Sequence, residues 1–170
     1  MKIYYTLGFL LLFGFSFSQI STTRMNEMRI NNTLPQIEKA LGKKLEIARK
    51  VDDWLYTINI SDKGSDLSLG FMESMDENDK TTFVLYEVKT KSTKIKTLSN
   101  LGVGSTLDEL WKAYKNYNIS VWQTWDEKTE KYSTTERVFQ LNDHDASTAI
   151  YFYLRNDKVY EIVVTLQEGC

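Results

Sequence analysis

Cysteine, proline and histidine are almost absent from this chain: there is one of each, Cys170, Pro35 and His144. A single thiol excludes an intrachain disulfide, so a core must be built from apolar side chains alone. In an oxidising compartment Cys170 could join two chains; an incidental thiol on a tail is the plainer expectation. One histidine excludes a histidine-based metal cluster. It also leaves Ser-His-Asp and Cys-His chemistry without support, because His144 sits in the polar stretch Asn142-Asp143-His144-Asp145-Ala146. The sequence calls for no cofactor and no metal.

Positive charge is not in excess either. The chain has 21 Lys and Arg against 23 Asp and Glu. That balance lacks the basic footprint of a general nucleic-acid binder. Long apolar runs are missing after residue 18. Before it, Met1-Lys2-Ile3-Tyr4-Tyr5 leads into an apolar run from Leu7 to Phe17, closed by Ser16-Phe17-Ser18. One basic residue, a short apolar run and a small-x-small ending predict a cleaved secretory leader over residues 1–18. The run is shorter than the ~20 residues needed to span a bilayer, so an uncleaved anchor is the lesser alternative. Removing the leader removes only Lys2 from the charge count, leaving 20 basic and 23 acidic residues and a formal charge of −3. The expected location is secreted or periplasmic, with no membrane span after cleavage.

What is present is aromatic: four Trp, ten Tyr and eight Phe, enough to build a core without disulfides. Two related stretches organise the chain. Thr33-Leu34-Pro35-Gln36-Ile37-Glu38-Lys39-Ala40-Leu41 and Thr106-Leu107-Asp108-Glu109-Leu110-Trp111-Lys112-Ala113-Tyr114 share Thr-Leu-x-x-(Ile/Leu)-x-Lys-Ala-(Leu/Tyr). Each predicts a short capped helix, with Thr33 and Thr106 as N-caps, Pro35 in a first turn and Gly42 at a C-cap. Alternating runs after the first helix predict strands at about 54–60, 67–71, 82–89 and 92–98. After the second they fall at 119–125, 136–141, 148–154 and 158–166. Residues 19–32 carry no clear period and read as a linker or weak helix.

The expected fold class is therefore α+β: two α-β(3-4) repeats, residues 19–100 and 101–170, with short helices packed on a mostly antiparallel sheet in one compact unit. This order resembles the beta-lactamase inhibitor protein architecture. The entry to the second helix, Gly104-Ser105-Thr106-Leu107-Asp108-Glu109-Leu110, also resembles outer-membrane assembly lipoproteins of the small BamE type. Both resemblances imply helices laid on an antiparallel sheet. The chain lacks the paired cysteines of the first family and the lipid-attachment cysteine of the second, and no functional residue is carried over from either.

Candidate chemistry is sparse. Glu73, Asp76, Glu87, Asp126 and Glu161 are the acids from which a glycosidase-like carboxylate pair would have to come. Met75-Asp76-Glu77-Asn78-Asp79 is acidic but lacks calcium-loop spacing. Lys89, Lys91, Lys94 and Lys96 lack interleaved aromatics and fit a charged sheet edge. Strand alternation puts Tyr151 and Tyr153 opposite Ile150, Phe152 and Leu154, and Trp122 opposite Val121 and Trp125. If the helices cover one face, Trp122, Tyr151 and Tyr153 are presented on the other. The expected function is non-enzymatic binding of a protein partner through that face. A small secreted hydrolase using a carboxylate pair and a small-ligand or lipid carrier are the alternatives.

Overall fold

The computed structural model describes residues 19–47 and 54–167. The expected leader 1–18 and Cys170 lie outside the described residues. After three short strands, β1 (Gln19–Ser21), β2 (Arg24–Met25) and β3 (Met28–Arg29), comes helix α1 (Leu34–Leu41). A meander comes next: β4 (Leu55–Asp62), β5 (Ser65–Met75) and β6 (Thr81–Thr90). Then come β7 (Lys96–Thr97), α2 (Leu107–Tyr114) and a second meander of β8 (Ile119–Asp126), β9 (Lys131–Asp143), β10 (Thr148–Arg155) and β11 (Lys158–Leu166).

The two meanders join into one seven-stranded antiparallel sheet, ordered β4-β5-β6-β11-β10-β9-β8. A four-stranded sheet, β3-β2-β1-β7, lies apart from it. The α+β class expected from the sequence is overturned. Of the described residues, 55% are strand and 11% helix, so this is a mostly β protein with two helices. The periodic signal placed both helices well, but each is only eight residues long. The stretch 19–32 is strand and turn instead of linker. Its strands of two or three residues are too short to show a period. Met25, Met28 and Ile30 are nevertheless buried, and Asn26 and Asn31 take the positive φ that tight turns require. The expected strand at 92–98 shrinks to Lys96–Thr97, which pairs in parallel with Gln19–Ile20 in the small sheet.

Local chemistry explains the connections. Asn156 and Asp157 both have positive φ and make the two-residue turn of the β10–β11 hairpin; Lys63 and Gly64 do the same between β4 and β5. Helix α2 starts with a reciprocal cap. The Thr106 hydroxyl accepts from the Glu109 N–H at 3.3 Å, and the Thr106 N–H donates to Glu109 Oε2 at 2.7 Å. At α1 the Thr33 N–H donates to Gln36 Oε1 at 2.8 Å, and Gly42 closes the helix at φ 67°. The two capping threonines have matching surroundings: Thr33 bridges Val84 of β6 and Thr106 bridges Lys158 of β11, two adjacent inner strands of the large sheet.

The core lies on one face of that sheet. Leu67, Leu69 and Phe71 of β5, Leu85 and Val88 of β6, Phe139 and Leu141 of β9, Ile150, Phe152 and Leu154 of β10, and Ile162 and Val164 of β11 meet there. They pack against Ile20, Met25, Met28 and Ile30 from the N-terminal strands, Ile37 of α1, and Leu110 and Tyr114 of α2. Each such side chain stabilises the fold by roughly 1.5–3 kcal/mol when fully buried. Leu85 and Val88 reach the same face although three positions apart, because a bulge at Gly70/Phe71 leaves Tyr86 as an extra residue. Simple alternation would have put Val88 opposite Leu85.

Candidate binding face

The helices and the small sheet close the Ile150-Phe152-Leu154 face. By alternation, the opposite face carries Ala149, Tyr151, Tyr153 and Arg155 of β10. Register extends this face across its neighbours. Trp122 of β8 pairs with Val138 of β9, which pairs with Tyr153, which pairs with Glu161 of β11. One step along, Ser120 pairs with Gln140, Gln140 with Tyr151, Tyr151 with Val163, and Val163 with Lys89. The three aromatic residues singled out from the sequence therefore share one face and one neighbourhood.

Their rings form a continuous row. Trp122 meets Tyr151 edge to face, with centroids 6.3 Å apart. Tyr151 and Tyr153 stack with centroids 6.5 Å apart and planes inclined by 23°. The row continues to Tyr160, 6.4 Å from Tyr153, and ends under Arg155, whose guanidinium carbon lies 4.9 Å from the Tyr160 ring centre. Such aromatic pairs contribute about 0.5–1.5 kcal/mol beyond burial. Val138, Ala149 and Val163 are buried beneath the row, so its floor is apolar. Trp122 keeps 41% of its surface exposed, and Tyr151, Tyr153 and Tyr160 are each half-buried.

Tyr160 and Arg155 were not singled out by the sequence. Simple alternation along β11 would put Glu161 on the face opposite Tyr160. A register shift between Tyr153 and Leu154 against β11 brings Tyr160 to the side of Tyr153 and Glu161. Nothing in the residue pattern marks that bulge. The Tyr-x-Tyr run of β10 facing Tyr160 across a two-residue turn was the available signal.

Polar groups hold and frame the row. Gln140 is buried, and its amide donates to Tyr151 Oη at 3.1 Å and to Asn142 Oδ1 at 2.6 Å. Burial pushes the Tyr151 hydroxyl above its usual pKa, opposed by that hydrogen bond. Burial does the same for Tyr153, reinforced by Tyr151, Glu161 and Glu87. Tyr160 is raised by burial and then by Glu136 and Glu161, against the pull of Arg155. All three stay protonated at neutral pH and present donor hydroxyls. At the rim Arg155 Nε donates to Glu136 Oε1 at 2.8 Å, and Lys91 Nζ lies 3.9 Å from Glu161 Oε1. A depression of about 280 Å³ adjoins the row, lined in part by Asn59, Asp66, Ser68, Lys89, Lys91 and Glu161.

Trp125 does not join the row. A register shift beyond Gln123 sets it against Tyr132, with centroids 5.1 Å apart, as a separate exposed pair.

The acids proposed for a carboxylate pair are dispersed among other partners. Glu73 accepts a hydrogen bond from Tyr56, Glu87 is ion-paired with Lys89 at 2.6 Å, and Asp126 Oδ1 accepts from the Lys128 N–H at 2.9 Å. Asp76 organises its own turn by accepting from the Asn78 and Lys80 N–H groups. Hydrogen bonds lower the pKa of three described carboxyls, Glu38, Glu109 and Asp143. A general acid needs the reverse shift. His144 meets Asn118 beside an open recess of about 480 Å³. Among the described residues no group of three or more His, Cys, Asp or Glu side chains is placed to share a metal ion. No helix among them is long and apolar enough to cross a membrane.

Fold and geometry together define a mostly β protein whose large sheet is closed on one face and lined with half-exposed aromatics on the other. Comparison with known proteins found no matching family model, no matching curated protein and no matching solved structure.

Proposed function

We propose that this chain is an exported, non-enzymatic binding protein that engages a protein partner through the open face of its large sheet. Trp122, Tyr151 and Tyr153 are the anchors, extended by Tyr160 and Arg155. The observation that carries this reading is the continuous ring row from Trp122 to Tyr160 standing half-exposed over buried Val138, Ala149 and Val163. Aromatic residues and arginine dominate the energetics of protein interfaces, because they bury large areas with few rotatable bonds to freeze. A polar rim with both signs of charge, here Arg155, Glu136, Lys91 and Glu161, is the usual surround.

The test is site-specific photocrosslinking in the exporting cell. A photoreactive phenylalanine analogue at Tyr153 is expected to capture one discrete protein species, and Trp122→Ala with Tyr151→Ala is expected to abolish that capture. The same analogue at Lys112, on exposed α2, serves as the control. Equal capture from both positions, or none from Tyr153, overturns the proposal.

A further inference from the structure

We infer that the partner on the open face is a second copy of this chain, bound face to face so that the tyrosine ridge of each copy fills a hollow in the other. The inference rests on the open-face reading above and names its partner.

Ridge and hollow lie on the same cross-strand rows. Tyr151 pairs with Val163, Val163 with Lys89, Lys89 with Ser68 and Ser68 with Asn59, a single row running from β10 to β4. At one end the row carries a tyrosine, and at the other a serine and an asparagine. The next row repeats the contrast. Tyr153 pairs with Glu161, while Lys91 and Asp66 come one step beyond Thr90 and Leu67, which pair with each other. The short side chains leave a hollow of about 280 Å³, bounded by Asn59, Asp66, Ser68 and Lys89 among others. A cavity of about 150 Å³ takes a benzene ring, so the hollow has room for the ring of a tyrosine.

Strand order makes this arrangement self-complementary. The ridge strand β10 and the hollow strand β5 flank the β6–β11 pair, one on each side. Turning a second copy over about an axis parallel to β6 and β11 lays its β10 above the first copy's β5, and its β5 above the first copy's β10. Neither strand has to slide along its length. Tyr151 of each copy then comes over Ser68 of the other. Both contacts form together, as a closed two-fold interface requires. Two sheet faces packed with strands aligned to within about 30° are a common arrangement, and anchors seated in pockets of the partner are where interface energy concentrates.

Charge follows the same exchange. Lys91 Nζ lies 3.9 Å from Glu161 Oε1 within the chain, with the lysine side chain 70% exposed, and such a pair is worth little by itself. The two-fold sets Lys91 of each copy opposite Glu161 of the other. The Asp66 carboxylate is adjacent to the hollow and makes no hydrogen bond or ion pair among the described residues, and the Tyr153 hydroxyl makes none either. The same rotation brings that hydroxyl over Asp66 as a donor.

The experiment is sedimentation equilibrium of the protein purified from the exporting cell, with a reductant present so that Cys170 cannot join chains. A reversible dimer is expected. Ser68→Trp fills the hollow and is expected to weaken the dimer by at least about tenfold, the scale of one lost anchor, with the circular dichroism of the chain unchanged. Lys91→Glu and Glu161→Lys each set like charges opposite each other, and each is expected to weaken the dimer by about tenfold. An equimolar mixture of these two variants is expected to restore it, because each contact between unlike chains again joins opposite charges. An ion pair acting only within one chain is not rescued by mixing. A chain that stays monomeric while the analogue at Tyr153 captures a different protein overturns this inference and leaves the open-face reading standing. A monomer with no capture from Tyr153 overturns both. A dimer that Ser68→Trp leaves intact, or that mixing does not restore, is held by another surface and overturns the inference.

Discussion

Trp122 stands edge-on to Tyr151 across an intervening strand, their ring planes 84° apart. The contact joins edge strand β8 to β10 over the top of β9. Because Trp122 is 41% exposed, most of what it contributes to stability is this contact and the cover it gives Val138. Trp122→Ala is therefore expected to cost only about 1–2 kcal/mol, on the scale of one aromatic pair plus partial burial. Urea denaturation at unchanged slope is the measurement. A loss above about 4 kcal/mol, the range of core aromatic truncations, would make Trp122 a core residue and remove it from the binding face.

Neighbouring residues on β10 are expected to respond differently. Phe152 is fully buried, 6.1 Å from the Phe139 ring and 6.3 Å from that of Tyr114. Phe152→Ala is expected to cost about 3–5 kcal/mol through lost burial and the cavity left behind. Tyr153, next in the chain but on the open face, is expected to cost less than half as much when cut to alanine. Comparing the two denaturation midpoints tests which face of the sheet holds the core. Equal losses would mean that both faces are closed.

How much of this fold is legible in the sequence varies residue by residue. The Thr-Leu starts at Thr33 and Thr106 announce both helices because capping chemistry is local. Tyr151 and Tyr153 announce a shared face because β10 alternates without interruption. The strands at residues 19–30 were not legible: two-residue strands between tight turns leave no period, and only tertiary contact buries Met25 and Met28. Tyr160 was missed because a bulge inserts one residue into a pattern of two, which reverses the apparent face of every residue beyond it. The class was misjudged for a related reason. Two clear helical signals were weighted as a structural layer, whereas each covers about two turns and the large sheet carries most of the fold.

Gly102 and Gly70 make a second contrast. A Cβ at Gly102 would lie 2.7 Å from the backbone oxygen of Ile95 and 2.6 Å from Lys96 Cδ. Lys96 is held by its own bond from Nζ to the Val103 carbonyl at 2.9 Å, so neither neighbour yields easily. At Gly70 the closest atom, at 2.6 Å, is Cγ of the flexible Glu87 side chain. Gly102→Ala is expected to destabilise by about 1–3 kcal/mol, the range for overpacking. Gly70→Ala is expected to cost less, with Glu87 swinging away from Lys89. Thermal denaturation of the two variants side by side decides it, and the reverse order would place the tighter backbone approach at β5.

Stability is expected to form a plateau across neutral pH that falls at both ends, for opposite reasons. On the acid side Glu38 is lowered first by the Lys44 hydrogen bond, Glu109 by the Thr106 N–H and Asp143 by the Thr22 hydroxyl. A carboxyl lowered in the fold holds its proton more weakly than in the unfolded chain. Its contribution is present above the unfolded value, about 4, and drains away as pH falls through the lower folded value. On the alkaline side burial raises Tyr151, Tyr153 and Tyr160. The folded chain then keeps phenolic protons that the unfolded chain sheds, so stability is intact below about 10 and is lost as pH climbs through the raised values. Urea midpoints measured across pH test both limbs. Asp143→Asn should flatten the acid limb, and Tyr153→Phe should flatten the alkaline one while leaving the neutral plateau nearly unchanged. If Tyr153→Phe leaves the alkaline limb as steep as before, Tyr153 is not desolvated, and the ring row sits in water more fully than its contacts indicate.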